Sequence, residues 1–343
     1  MKNYLFILLI CLGCASKKEI VAPKFESKIV SNEKLSCRAI FVDTDKVWLG
    51  MDKGRYGFYD KKKDTLVVKT IQSVSNTTEF RSIAATKDAI FILAVGNPAK
   101  LIKIDKKSLQ ETIVYLEEND KVFYDSMQFV DNLNGFAMGD PTEDCLSFIK
   151  TADGGNSWEK VSCANFPKVS EGEAAFATSN TNLIVKGKSI FMVSGGKKSR
   201  VFVSHDFGTS WQVYETPIVQ GEEMTGIFTA DFYNEKTGII AGGNYLKQTQ
   251  NWSNKAITTN GGKTWNLIAE NEAFGYASCV QFVPNSKAKQ LISVGGTGMF
   301  YSSDFGKSWT KFSDDKDFYT FRFESEKVFF ANGRNKLVRF EME

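Results

Sequence analysis

The chain has a single histidine in 343 residues, and the four cysteines beyond the N-terminal segment, Cys37, Cys145, Cys163 and Cys279, form no CxxC pair. A His-rich metal centre and thioredoxin-type redox chemistry are therefore unsupported, and no metal is expected. Charge of one sign is also missing. Lys plus Arg total 43 against 40 Asp plus Glu, a net of +3, without the basic stripe that marks nucleic-acid binders. No G-x-G-x-x-G opens a helix after a strand, and no haem or flavin motif is present, so no cofactor is expected. No stretch sustains a 3.6-residue period. Proline is scarce, at six residues, and the composition, 42% hydrophobic and 24% charged, excludes both a disordered and a collagen-like chain. At this length a large core needs no staples.

Long hydrophobic runs are lacking as well. The only candidate is Tyr4 to Gly13, ten residues after a short basic start, where a spanning helix needs about 20. It fits the apolar region of a signal peptide. Cys11-Leu12-Gly13-Cys14-Ala15-Ser16 follows and resembles a bacterial lipobox, with Cys11 where such boxes usually carry Leu. The alternative is an ordinary secretory signal cut near Ala15. The lipobox reading gives a signal peptide over residues 1–13, a tether over 14–23 lipidated at Cys14, and a folded domain over 24–343. Several acyl chains hold a protein stably to a bilayer, so the expectation is a membrane-anchored lipoprotein of the bacterial cell envelope, facing the periplasm or the cell surface.

An oxidising envelope permits disulfides. Cys145 and Cys163 lie equidistant from Gly154 in a turn and face each other if that hairpin is symmetric. The alternative is two buried thiols.

One pattern recurs four times, at 151–158, 204–211, 258–265 and 302–309: S/T-x-D/N-x-G-x-S/T-W. It looks like the Asp-box (BNR) repeat. Asp153, Asp206, Asn260 and Asp304 hydrogen-bond their own turn backbone. Glycine supplies the positive φ of the hairpin. Trp158, Trp211, Trp265 and Trp309 pack each hairpin onto its neighbour. These side chains are read as structural, not as acids or metal ligands. Short β-type runs surround each box, and candidate first strands recur at 38–40, 81–83, 125–127, 174–176, 225–227, 277–279 and 319–321. Their periods of 42 to 52 residues are propeller-sized. Degenerate hairpins at Tyr59-Asp60-Lys61 and Ile104-Asp105-Lys106 serve the first two blades. The last blade lacks a fourth strand, which residues 24–30 can supply. The expectation is an all-β, seven-bladed propeller of four-stranded blades, with six blades as the alternative, and a monomer.

If the boxes join strands three and four, the loops between strands two and three emerge on the opposite face. Arg38, Arg81, Asp125, Asp140, Glu173, Arg200, Tyr245 and Tyr276 gather there as candidate binding residues, with Trp252 in a long loop nearby. Three of the seven arginines fall on this face, and arginine's fork suits carboxylate or phosphate. The bland alternative is a structural ring of ion pairs.

The inner motifs Phe80-Arg81-Ser82, Phe123-Tyr124-Asp125, Gly135-Phe-Ala-Met-Gly139-Asp140-Pro141, Gly172-Glu-Ala-Ala-Phe176-Ala177, Arg200-Val-Phe-Val-Ser204, Gly226-Ile-Phe228 and Gly242-Gly-Asn-Tyr245 stand in order along the chain. Together they resemble the bacterial branch of photosystem II stability/assembly-factor-like proteins, over residues from about 37 to 340. The resemblance implies a seven-bladed propeller that binds a partner protein through an arginine-rich patch, here Arg38, Arg81 and Arg200. Members are often labelled oxidoreductases, a label that no motif here supports.

The function read from these features is a non-catalytic binding or assembly scaffold, with an envelope protein or glycan as partner and no catalytic residue assigned. One alternative is a sialidase-like hydrolase, with the three arginines on a carboxylate, Tyr245 or Tyr276 as nucleophile, and Glu173 and Asp140 assisting. Its Arg-Ile-Pro motif is absent. The other is a glycan-binding module using the apolar faces of Trp252 and Tyr245.

Overall fold

The computed structural model describes residues 23–343. The signal peptide, Cys14 and nearly all of the tether lie outside the described residues. The chain forms seven antiparallel four-stranded blades over residues 37–70, 80–117, 124–160, 183–215, 225–267, 277–313 and 318–342. Each blade's inner strand touches the next blade's inner strand, and the seventh, Phe318–Phe323, returns to the first, Cys37–Val42. Blade 7 is completed by Phe25–Ser31, which pairs antiparallel with Leu337–Met342 in the register Phe25↔Met342. That velcro strand ties the two ends of the described chain together without leaving an inner edge open.

Blades stack face to face, so their middle strands are covered on both sides. Ala89–Ala94 is buried at every residue, whereas the outer strand Thr65–Thr70 is largely exposed. A continuous apolar run is what such a strand requires. The core is accordingly divided among seven apolar clusters, one at each blade interface.

The four repeat hairpins join strands three and four of blades 3 to 6. Asp153 Oδ1 accepts from the backbone N–H of Asn156 at 2.9 Å and of Ser157 at 3.1 Å, and Asp153 Oδ2 accepts from Ser157 Oγ at 2.7 Å. Asp206 and Asp304 repeat these bonds on Ser210 and Ser308. The Ser157 hydroxyl, with the turn amides, draws the Asp153 carboxyl down to about 2. Trp211, Trp265 and Trp309 donate their indole N–H to the carbonyl of the box glycine. Gly155 has φ 73–74° in common with Gly154, but a Cβ on Gly155 would also lie 2.3 Å from Phe91 of the preceding blade. In the degenerate hairpins Asp60 and Asp105 still accept from turn amides, at Lys62 and Lys63 and at Lys107 and Ser108.

Blade 4 departs from the expected pattern. The first strand anticipated at 174–176 is only a two-residue stub, Glu173–Ala174, paired with Gly195–Gly196. The true inner strand is Leu183–Lys186. Between them, residues 175–182 leave the blade and cross the central channel as a plug. Thr178, Ser179, Asn180, Thr181 and Asn182 are all buried. The physical reason lies in the inner strands, whose channel-side backbone groups have no strand to pair with. The plug supplies partners. Asn180 Nδ2 donates to Ile83 O at 2.8 Å, and Asn180 Oδ1 accepts from Met127 N at 2.8 Å. Thr178 Oγ1 donates to Phe228 O at 3.2 Å, and Ser179 Oγ to Ser278 O at 2.5 Å. Five short polar side chains in a row suit this task better than they suit a blade.

Cys145 and Cys163 are joined, S–S 2.05 Å, on the loops flanking the outer half of blade 3. Cys37 and Cys279 are free and buried.

Candidate functional site

The face opposite the repeat hairpins carries the N-terminal ends of the inner strands. Those of blades 1, 2, 3, 6 and 7 each have a register irregularity at their second residue: Arg38, Arg81, Asp125, Ser278 and Tyr319. A β-bulge leaves its extra residue unpaired and re-aims the side chain. The repeated bulge is thus what gathers Arg38, Arg81, Asp125 and Tyr319 at one mouth. In blade 5 the irregularity falls at Phe228 instead.

The arginines there are not equivalent. Arg200 is closed by Glu173, which is fully buried: Nε donates to Oε1 at 2.9 Å and Nη2 to Oε2 at 2.5 Å. Ser194 Oγ and the Ser170 amide complete the carboxylate's shell, at 2.6 and 2.8 Å. This pair is a structural lock that pins the start of the plug, and it corrects the expectation that Arg200 and Glu173 are available to a ligand. A clamp of three free guanidiniums does not exist here. Arg81 is held by Glu79, at 2.8 and 2.7 Å.

Arg38 is different. Its guanidinium lies 4.1 Å from the centroid of the Tyr319 ring and has no hydrogen-bonding or carboxylate partner among the described residues. Burial, and then the neighbouring Arg81 charge, weaken its hold on the proton. Stacking on tyrosine is worth ~1–2 kcal/mol when desolvated, so the ring holds the cation without neutralising it. Arg334 approaches the same tyrosine at its hydroxyl, to which its Nε donates at 3.4 Å. It is exposed and also lacks a carboxylate partner within ion-pair distance among the described residues. The sequence reading missed it, although Gly333-Arg334-Asn335 occupies the same kind of loop, between strands two and three, that drew attention on other blades.

Next to these cations, Tyr276 packs edge-on against Tyr245 at 5.2 Å and against Phe228 at 4.9 Å. Phe228 in turn stacks on Phe176 of the plug at 3.9 Å. Tyr276 is buried, while Tyr245, Leu246 and Trp252 are exposed. The acidic members Asp125 and Asp140 are sunk into the same face, within reach of the Arg81 charge at Asp125. Asp125 is fully buried with neither carboxylate oxygen hydrogen-bonded. Burial, and then the neighbouring Asp140, push its carboxyl far above the usual range. Burial raises Asp140 to about 6, although its Oδ1 accepts from the Ala175 amide at 2.8 Å. This face therefore offers two unpaired cations around one tyrosine, an aromatic floor, and a carboxyl pair held toward its neutral form. It can grip an anion or a chain end. No cluster of three or more potential metal ligands occurs among the described residues.

No family model matches the chain, and no curated protein matches it in sequence. Solved structures do match in shape. A structure described as YCF48 bound to D1 peptide superposes with a TM-score of 0.67 at 13% identity, covering 94% of this chain and 99% of that one. YCF48 from Cyanidioschyzon merolae gives 0.67 at 11% identity, covering 92% and 98%. The RRP9 WD40 repeats give 0.68 at 12% identity, covering 95% and 100%. At such identities the likeness is one of fold, and this chain is a seven-bladed propeller built like theirs.

Proposed function

We propose that the protein is a non-catalytic scaffold that binds an extended peptide segment, presented by a partner protein, across the face opposite the repeat hairpins. The observation that carries this reading is Tyr319 flanked by Arg38 and Arg334, two guanidiniums without carboxylate partners. A peptide's terminal or side-chain carboxylate supplies the missing counter-charge, and Tyr245 and Tyr276 supply an apolar platform beside it. A propeller of the same shape with a bound peptide, YCF48 with D1 peptide, supports a peptide ligand as the class. We read the four repeat hairpins as structural Asp-boxes.

The same proposal includes a lipid anchor at Cys14 in a bacterial envelope. The described chain enters blade 7 at the hairpin end, where Pro23 lies beside Lys327 and Met342. Nine residue steps from Cys14 reach about 30 Å at full extension. Strands of six to seven residues already span about 20 Å, so the tether is nearly used up in climbing past a blade. The anchor then holds the hairpin face toward the bilayer and the Tyr319 face away from it.

The test is capture by crosslinking from native membranes, with a wild-type and an Arg38→Ala/Arg334→Ala chain, alongside a peptide array with free and amidated C-termini. A partner lost in the variant supports the reading. Equal capture by both chains removes it. A glycan ligand is the second reading, favoured by the exposure of Trp252 and Tyr245. Binding that survives the arginine changes but not Trp252→Ala would select it.

A further inference from the structure

A cavity of about 650 Å³ opens at the hairpin end of the channel, away from the Tyr319 face, and is within the range of small-molecule sites. Asn180 and Thr181 of the plug line it, so it is a blind pocket and not a passage. Phe41, Phe129, Tyr233, Phe282 and Phe323 contribute aromatic wall. Among its polar side chains, Lys186, Asp231, Gln281 and Arg322 come from four successive blades.

None of the four forms an ion pair among the described residues. Arg322 donates to Thr320 Oγ1 at 2.9 Å, Phe321 O at 2.7 Å, Ser179 O at 2.9 Å and Asn180 O at 3.0 Å. These acceptors fix the guanidinium but leave its charge unbalanced. Asp231 accepts only from the amides of Phe232, at 2.9 Å, and Phe282, at 2.8 Å. Lys186 and Arg322 both act on it through space without forming an ion pair. The Lys186 ammonium has no hydrogen bond or ion pair among the described residues. Gln281 Oε1 is buried with no donor. The pocket thus displays two acceptors, the Asp231 carboxylate and the unpartnered Gln281 Oε1, flanked in blade order by two cations that form no ion pair. Gln281 Oε1 is the one buried atom of the set without a partner, a cost of about 1–3 kcal/mol, and one zwitterionic ligand can meet it together with the three charged groups.

We infer that this pocket binds a free α-amino acid with an apolar side chain. Its ammonium group meets Asp231 and Gln281 Oε1, its carboxylate meets Lys186 and Arg322, and its side chain lies on the aromatic wall. A simple organic acid leaves the acceptors unmet, and an amine leaves the cations unmet. This site is separate from the peptide face, and its test does not depend on that reading.

The test is calorimetry on the purified folded chain with three probes: L-phenylalanine, N-acetyl-L-phenylalanine and L-phenylalaninamide. The expected result is saturable one-to-one binding of L-phenylalanine, with each blocked analogue at least about tenfold weaker, a difference of about 1.4 kcal/mol. Lys186→Met and Gln281→Leu should each weaken binding by a similar factor while leaving the melting curve of the free protein in place. Arg322 is left unchanged because it also holds the plug. Absence of saturable binding up to about 10 mM, weaker than any useful site, overturns the inference. So does equal binding of either blocked analogue, or binding that neither substitution weakens.

Discussion

Asn180 of the plug donates a hydrogen bond to the carbonyl of Ile83, 97 residues earlier in the chain, at 2.8 Å. Its other amide atom accepts from Met127 of the next blade. One side chain from blade 4 therefore ties blade 2 to blade 3 across the channel. Asn180→Ala strands a buried carbonyl and a buried N–H together. The expected loss is about 2–4 kcal/mol, read as a lower urea midpoint with an unchanged m-value.

The Arg200–Glu173 lock and the Arg38–Tyr319 stack should separate stability from binding. Glu173→Ala leaves Arg200 without its counter-charge beside a buried site, a loss of about 3–5 kcal/mol. Arg38→Ala gives up only a cation–π contact, about 1 kcal/mol, yet should abolish capture of the partner. Thermal melts paired with the capture assay distinguish the two. If Arg38→Ala melts as early as Glu173→Ala, Arg38 is a structural residue.

Asp140 makes stability depend on pH in a direction opposite to that of most carboxylates. Burial raises its folded pKa to about 6 from 3.8. Its contribution is complete below pH ~4 and is lost as the pH rises through about 6. The expected decline between pH 4 and pH 7 is on the order of 2 kcal/mol, with Asp125 acting in the same sense. Asp140→Asn keeps an acceptor for the Ala175 amide but cannot ionise. Its unfolding free energy should be flatter across this range and higher than wild type at pH 7.

The Cys145–Cys163 bridge closes a loop with a sequence separation of 18. Reducing it, or introducing Cys145→Ser/Cys163→Ser, should lower stability by roughly 3 kcal/mol. Chemical denaturation with and without reductant checks this. Because the loop leads directly into the Glu173 stub, protease sensitivity should rise first between residues 163 and 175.

The two kinds of structural information in this chain were unequally legible. The hairpins were plain because every contact that defines them, from Asp153 to Ser157 or from Trp211 to Gly208, lies within a few residues. The closing strand was legible from arithmetic, since a seventh blade one strand short needs its missing edge from the other terminus. Arg38, Arg81, Asp125 and Tyr319 were legible as equivalent positions in successive strands. Their pairing states were not. Nothing local distinguishes Arg200, neutralised by a glutamate 27 residues earlier, from Arg38, which faces a tyrosine. The plug was misread because residues 174–176 sit at the right period for a strand, and its polar run finds its partners in other blades.

By itself, then, the sequence determined the repeat, the propeller architecture and the closure at the velcro strand, because periodic local contacts and edge pairing suffice for these, while the structure decided for seven blades over six. Which arginines remain uncompensated, where the channel is blocked and which end holds a cavity were decided only by the tertiary structure. Those properties depend on charges and backbone edges that lie tens to hundreds of residues apart and meet only once the ring of blades has closed.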